Sequence, residues 1–344
     1  MNDIILADAN GAELRSVLYT EYDFETGDKK ESNFLVTCLK EEWKPIPDGG
    51  RLYIPKTEYG GLYRKTDIVS KYGTIAAGGL TWRGHMHKKV IEPPAGEDYA
   101  VDSGELNAII GIRVSAAFPN LMCGSSESTG VTVTYQYNRY CTLYDGIKAL
   151  LKSVGYKMRL AYDQELARVV VDAVPIVDYS NEIEYSSDMN ADYRMTMDYT
   201  GVNHLICLGQ GELSDRIVIH LYVDRNGVIS TTQTQFGEDE ICEVYNYTGA
   251  DREELMKSGI EHLQRDINRN KFSIDLDAEK EVEIGDVVGS RDYTTGYTVK
   301  APITTKVVKY REGQEKVEYK LSEDVTVERS GQVSLLSVNR EGDK

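Results

Sequence analysis

The five histidines are the natural starting point for any chemistry this chain performs. His85-Met86-His87 would place two imidazoles on the same face of a strand, which is half of a metal site. No neighbouring cysteine or acidic pair completes a ligand set, so an ordinary strand with polar residues is expected there. His-Glu-x-x-His, Gly-x-Ser-x-Gly and the phosphate-cradling P-loop do not occur. Gly209-Gln210-Gly211 follows an apolar run as a dinucleotide loop does. Ser214 stands where the third glycine belongs, and a strand rather than a helix comes next, so a turn or bulge is expected. Asp224-Arg225-Asn226-Gly227 begins like a calcium loop, but the later ligand positions do not follow, and a hairpin turn is the reading.

Acidic neighbours occur at Glu41-Glu42, Asp239-Glu240 and Glu253-Glu254. With 56 carboxylates in the chain, such adjacency arises by chance. A glycosidase needs two carboxylates at a set separation across a cleft, which linear order does not reveal. Cys38, Cys123, Cys141, Cys207 and Cys242 are odd in number and widely spaced, with no Cys-x-x-Cys. They read as reduced thiols, several of them buried as small hydrophobes. No catalytic, cofactor-binding or metal-binding residue is assigned, and no cofactor is expected.

The elements that would carry such residues read mostly as strands. Ile4 to Leu6 leads into the turn Asp8-Ala9-Asn10-Gly11. Phe34, Val36 and Cys38 alternate with Leu35, Thr37 and Leu39, a pattern of an enclosed strand. Arg51 to Ile54 is a further strand, and Tyr72 to Val90 holds more. Pro93-Pro94-Ala95-Gly96 marks a boundary. A helix capped by Asp102 or Ser103 is expected to run to about Ala117, with Leu106, Ile109, Ile110 and Val114 on one side and Phe118-Pro119 as its stop. Val131 to Tyr137 has strand period. Thr142 and Asp145 stand in capping-box spacing before Leu143, Ile147, Leu150, Leu151 and Val154, and Gly155 ends that helix. Tyr156 to Leu160 and Arg168 to Ala173 form a hairpin.

Asn181 to Asp198 reads as mixed strand and loop, His204 to Leu208 and Ile217 to Val223 as strands. Gly249 to Asn270 is a helix, with Asp251 as cap, Glu254 reaching back, and a stripe of Met256, Ile260, Leu263 and Ile267 that packs on a sheet. Phe272, Ile274 and Leu276 alternate. Strands follow at Val282 to Val288 and Ile303 to Tyr310. Arg311-Glu312-Gly313-Gln314 turns the chain into Val317, Tyr319 and Leu321. The expected fold class is β-rich α+β, divided as 1–98, an inserted α+β part at 99–185, a second β-rich part at 186–329 and a tail at 330–344.

The chain has 344 residues, enough for about two to three domains. Its 39 basic against 56 acidic residues leave a charge of −17, a poor match to nucleic acid, whose phosphates call for clustered cations. No segment approaches the ~20 apolar residues of a membrane helix, and Met1 to Leu6 lacks the basic start of a secretory signal. Twenty-four tyrosines against five phenylalanines and two tryptophans suit strands with one wet edge, and equally suit interfaces.

Five phrases, in their order and spacing, resemble the tail-hub (baseplate-hub) proteins of long-tailed phages, particularly siphoviruses of Gram-positive bacteria. They are Thr57-Glu58-Tyr59-Gly60-Gly61; Gly79-Leu80-Thr81-Trp82-Arg83-Gly84 running into Val90-Ile91-Glu92-Pro93-Pro94; Asn138-Arg139-Tyr140-Cys141-Thr142-Leu143-Tyr144-Asp145; His204 through Leu213; and Glu283-Ile284-Gly285-Asp286-Val287-Val288-Gly289. The resemblance covers about residues 1 to 329. It implies two β-barrel-like domains with α/β insertions, similar to the central hub of contractile tails. It also implies a ring of three copies at the tail tip, without enzymatic activity. Its partners would be a distal tail protein, a tape-measure protein, and fibre or lysin components, and its place would be the virion, after synthesis in the bacterial cytoplasm. A cell-wall glycan-binding module and a wall-degrading hydrolase using a carboxylate pair are the alternatives.

Overall fold

The computed structural model describes residues 3–180, 193–196, 200–225, 227–267, 271–274, 282–291, 295–322 and 325–329. The chain is β-rich, with four α-helices among these residues: α1 Trp82–Met86, α2 Leu106–Ala117, α3 Leu143–Lys152 and α4 Arg252–Ile267. It divides into two units. One comprises Met1–Ala191, Asp275–Ser290 and Pro302–Ser322, the other Asp192–Ile274, Arg291–Ala301 and Glu323–Lys344.

An all-antiparallel sheet organises the first unit. Its spatial order is Gln314–Leu321, the part of Tyr297–Arg311 from residue 302 onward, Glu21–Gly27, Asn33–Leu39, Thr74–Leu80 and Lys65–Val69. The period-two pattern works as expected: Phe34, Val36 and Cys38 are buried, and their neighbours in the strand are not. Tyr22, Phe24, Phe34, Val36, Ala77 and Val308 share a core with Ile4, Leu6 and Leu52 of a second sheet. That sheet runs Glu13–Val17, Ile4–Ala7, Arg51–Tyr53 and Gly60–Leu62. No sheet closes on itself among the described residues. The turn after Arg311 has positive φ at both Glu312 (54°) and Gly313 (82°), the geometry that matches the twist of a tight hairpin.

The α+β part of this unit centres on the hairpin Tyr156–Asp163 and Arg168–Pro175, with Met122–Gly124 added in parallel and α2 and α3 packed against it. Thr142 caps α3 as expected, accepting from the Asp145 amide at 3.0 Å and bonding its carboxylate at 2.6 Å. Gly155 takes a φ of +77° beyond the helix end. The expected start of α2 is corrected. Asp102 and Ser103 lie in a strand, Val101–Glu105, paired with Thr132–Gln136. The helix begins at Leu106, capped by Glu105, whose carboxylate accepts from Ala108 N at 3.0 Å. The same carboxylate also takes the amide and hydroxyl of Thr129, in the loop before the paired strand, so a partner distant in sequence holds the boundary.

The second unit has a four-stranded sheet in the order Ile229–Ser230, Val218–Val223, His204–Leu208 and Cys242–Asn246. Helix α4 covers one face, burying Leu205, Cys207, Ile219 and Leu221 with Leu255 and Leu263. Of the expected stripe Leu263 is fully buried, joined by Leu255, and Met256 and Ile260 pack at the margin of the core, while the side chain of Ile267 lies outside the described residues. Asp251 caps α4 through the amides of Glu253 and Glu254. The Glu254 carboxylate accepts from the Tyr247 hydroxyl at 2.9 Å. Two further strand pairs, Tyr193–Thr196 with Lys271–Ile274 and Thr326–Arg329 with Tyr297–Lys300, belong to this unit. Most of the expected stretch Asn181 to Asp198, Leu276 of the expected alternation, and the whole expected tail 330–344 lie outside the described residues.

Candidate functional site

Four of the five phrases lie in the first unit; three of them meet around α1, and the fourth adjoins through Lys157. Thr81 ends the strand Thr74–Leu80 and turns the chain into a helix, its hydroxyl accepting from Gly84 N and its carbonyl from His85 N. Trp82 and Met86 are fully buried on this short helix. The indole stacks on Tyr162 with centroids 5.9 Å apart, and Tyr162 stacks on Tyr53 at 3.7 Å. Gly60 and Gly61 pass directly over this layer. A β-carbon on Gly61 would fall 2.5 Å from the Phe34 ring and closer still to the Leu80 carbonyl. Only a residue without a side chain fits the crossing.

Arg83 is the polar centre of the joint. It is 4% exposed. Its Nε donates to Glu58 Oε2 at 2.7 Å and its Nη2 to the Met158 carbonyl at 2.9 Å. The guanidinium lies 5.9 Å over the Tyr144 ring. Burial works against its charge, but the Glu58 carboxylate and Tyr144 outweigh it and raise the pKa above the ordinary value. Tyr144 in turn donates to Asp28 Oδ1 at 2.9 Å, and Lys148 pairs with the other oxygen of Asp28. Burial, then Asp28, drives the Tyr144 hydroxyl up, so it stays a donor. The third phrase is stitched on by backbone: Ile91 N to Cys141 O at 2.9 Å and Leu143 N to Lys89 O at 2.8 Å.

The Gly-Asp-x-Val phrase adjoins through Lys157, the neighbour of Met158. Lys157 Nζ lies 2.7 Å from both Asp286 Oδ2 and Glu283 Oε2. Asp286 Oδ1 accepts from Val177 N at 2.9 Å, and Oδ2 accepts from Glu283 N at 3.0 Å. Burial pushes the Glu283 carboxyl up, but hydrogen bonding and the charge of Lys157 prevail and leave it below the usual range. The expected strand Val282 to Val288 is therefore corrected: Val282–Asp286 is a turn locked by Asp286, with Gly285 at φ +98°, and the strand is Val287–Arg291. Sequence reasoning missed Arg51, 1% exposed, which donates to the carbonyls of Ala9, Asn120 and Ala167. A charged residue inside an apolar strand was the only local signal.

The histidine pair does not form a half-site. His85 and His87 belong to α1 and its C-cap, not to a strand. His85 is held neutral, its pKa lowered to about 4 by burial and then by Arg64 and Lys89. The His87 ring packs 4.2 Å from that of Tyr144. In the second unit a chain that the sequence did not announce joins Glu240 to His204 Nδ1 and His204 Nε2 to His220 Nδ1, the latter at 2.8 Å. Strand register creates it, because His204 and His220 lie on paired strands. Gly209-Gln210-Gly211 is a turn with Gly211 at φ +100°. Val228 N donates to Asp224 Oδ1 at 2.8 Å and closes the expected hairpin. Asp239 pairs with Arg225, while Glu41 and Glu42 are exposed. All five cysteines are free, two of them buried. Among the described residues no group of three or more His, Cys, Asp or Glu side chains could hold a metal ion. No helix among them is long and apolar enough to cross a membrane.

No family model matches this sequence, and no curated protein does. Solved structures do match. The 43 kDa tail protein of prophage MuSo2 from Shewanella oneidensis is similar over 93% of this chain and 98% of that one, at 12% identity and a TM-score of 0.54. The tail protein from Neisseria meningitidis MC58 is similar over 94% of this chain and 96% of that one, at 12% identity and a TM-score of 0.50. The fold is thus that of prophage tail proteins over nearly its whole length, in line with the resemblance carried by the five phrases.

Proposed function

We propose that the chain is a structural subunit of a phage or prophage-derived tail tip. In this reading it is a hub of three copies that closes the tail tube. A distal tail ring and the tape-measure protein lie above it, and fibre or lysin components lie below. The observation that carries this is likeness of fold to two tail proteins over 93% and 94% of the chain. The joint around Arg83 supports it, since three separated phrases are tied together there by buried hydrogen bonds and ring contacts. The role asks for no catalytic residue.

The finer features belong to the same proposal: two barrel-like modules, division near residues 98, 185 and 329, and residence in the virion after synthesis in the host cytoplasm. The charge of −17 suits a conduit that DNA must traverse without sticking. Immunogold labelling of particles that carry the protein tests the reading. Label at one end of the tail is expected, and label absent from assembled tails overturns it.

A further inference from the structure

The six strands of the first unit's sheet ordered above have an open strand at each end. Lys65–Val69 pairs only with Thr74–Leu80, and Gln314–Leu321 pairs only with Tyr297–Arg311, among the described residues. Residues 64–72 are exposed without a break. They include Ile68 (62% exposed), Val69 (38%) and Tyr72 (68%). An edge strand with apolar side chains and unpaired backbone groups is a template for another strand.

Resting on the hub reading, we infer that Lys65–Val69 of one copy pairs antiparallel with Gln314–Leu321 of the next, with Lys65 opposite Glu318 and Asp67 opposite Lys316. Direction follows from strand count. Six alternating strands leave the two ends running opposite ways, and rotation about an axis along the strands keeps them so. A heterologous contact of this kind closes into a ring where the rotation between copies divides a full turn.

Register follows from faces and charge. Thr66 pairs with Ala77, which pairs with Val36 on the core side; Val317 pairs with Val308 on that same side. Lys65 and Asp67 therefore share the outer face with Lys316 and Glu318. With Lys65 opposite Glu318, both outer pairs are of opposite sign and Thr66 meets Val317. Sliding two residues one way sets Lys65 against Lys320 and Asp67 against Glu318; sliding the other way sets Lys65 against Lys316. Charges on an edge usually deter pairing. Here they admit one register.

The test uses the full chain with Cys242→Ser, which removes the exposed thiol. Thr66→Cys with Val317→Cys should yield covalent oligomers under mild oxidation, and neither single variant should. By light scattering, Asp67→Lys should raise the half-assembly concentration about tenfold, and adding Lys316→Asp should restore it. A ring that forms with these cysteines unlinked and that ignores Asp67→Lys overturns the edge pairing and leaves the hub reading standing. So does linkage through Thr66→Cys with Tyr319→Cys instead, which signals the slid register that sets Lys65 against Lys320. A chain that stays monomeric at high concentration overturns both.

Discussion

Lys157 and Asp286 stand 2.7 Å apart with their side chains 6% and 1% exposed, 129 residues from each other in sequence. Each is the other's means of being buried while charged, and the Val177 and Glu283 amides complete the carboxylate's shell. Removing Asp286 leaves the buried Lys157 only the half-exposed Glu283 carboxylate, a loss of up to about 3–5 kcal/mol. Asp286→Asn should lower the urea midpoint by a corresponding amount. The double variant Lys157→Met with Asp286→Leu should be less damaged than Asp286→Asn, because it leaves no buried charge: Glu283, 48% exposed, is solvated instead.

Arg83 makes two directed hydrogen bonds and lies over an aromatic ring, a geometry that an ammonium does not reproduce. Arg83→Lys is expected to cost about 1–3 kcal/mol in equilibrium unfolding, the range for a buried group that loses its partner. Arg83→Met should cost more, because Glu58, 15% exposed, is left without its cation.

Gly61→Ala forces a methyl group against the Phe34 ring and the Leu80 carbonyl. Overpacking here should cost about 3 kcal/mol and appear as a lower Tm. Gly249→Ala meets nothing within 4 Å and should leave Tm unchanged within error.

Acid should weaken the first unit in two windows. Glu283 has a depressed pKa in the folded state, so its contribution is full above the unfolded carboxylate value, 4.5, and is lost as pH falls through the folded one. His85 is also depressed, from 6.5 to about 4, so the unfolded chain takes up its proton first and stability falls between those values. Denaturant midpoints measured from pH 7 to 4 should therefore decline less steeply in His85→Gln than in the parent. Equal slopes would show that His85 is not buried as a neutral base.

What the sequence revealed was whatever is local. Thr142 and Asp145 announce α3 because cap and helix lie within one turn of each other. Helix α1 was hidden, since Thr-Trp-Arg-Gly-His has no helical propensity of its own and forms because Trp82 and Met86 are buried by distant strands. Val282 to Val288 alternates like a strand, yet Asp286 bends it into a turn to reach Lys157. The Glu240–His204–His220 chain depends on register, which composition does not carry. The joint was legible only as separate phrases; that three of them touch, with a fourth held through Lys157, was not.

The main sheet of the first unit takes Glu21–Gly27 from near the chain's start and pairs it with residues 305–310. A ribosome making this protein must add every residue from 28 to 304 after the first of these strands before that ladder can zip. The stretch Asp192–Ile274 emerges earlier and without such a wait. Newborn chains therefore carry an incomplete amino-terminal half with two unzipped strand borders. Until residues 305–310 arrive, those borders are open to pairing with neighbouring chains.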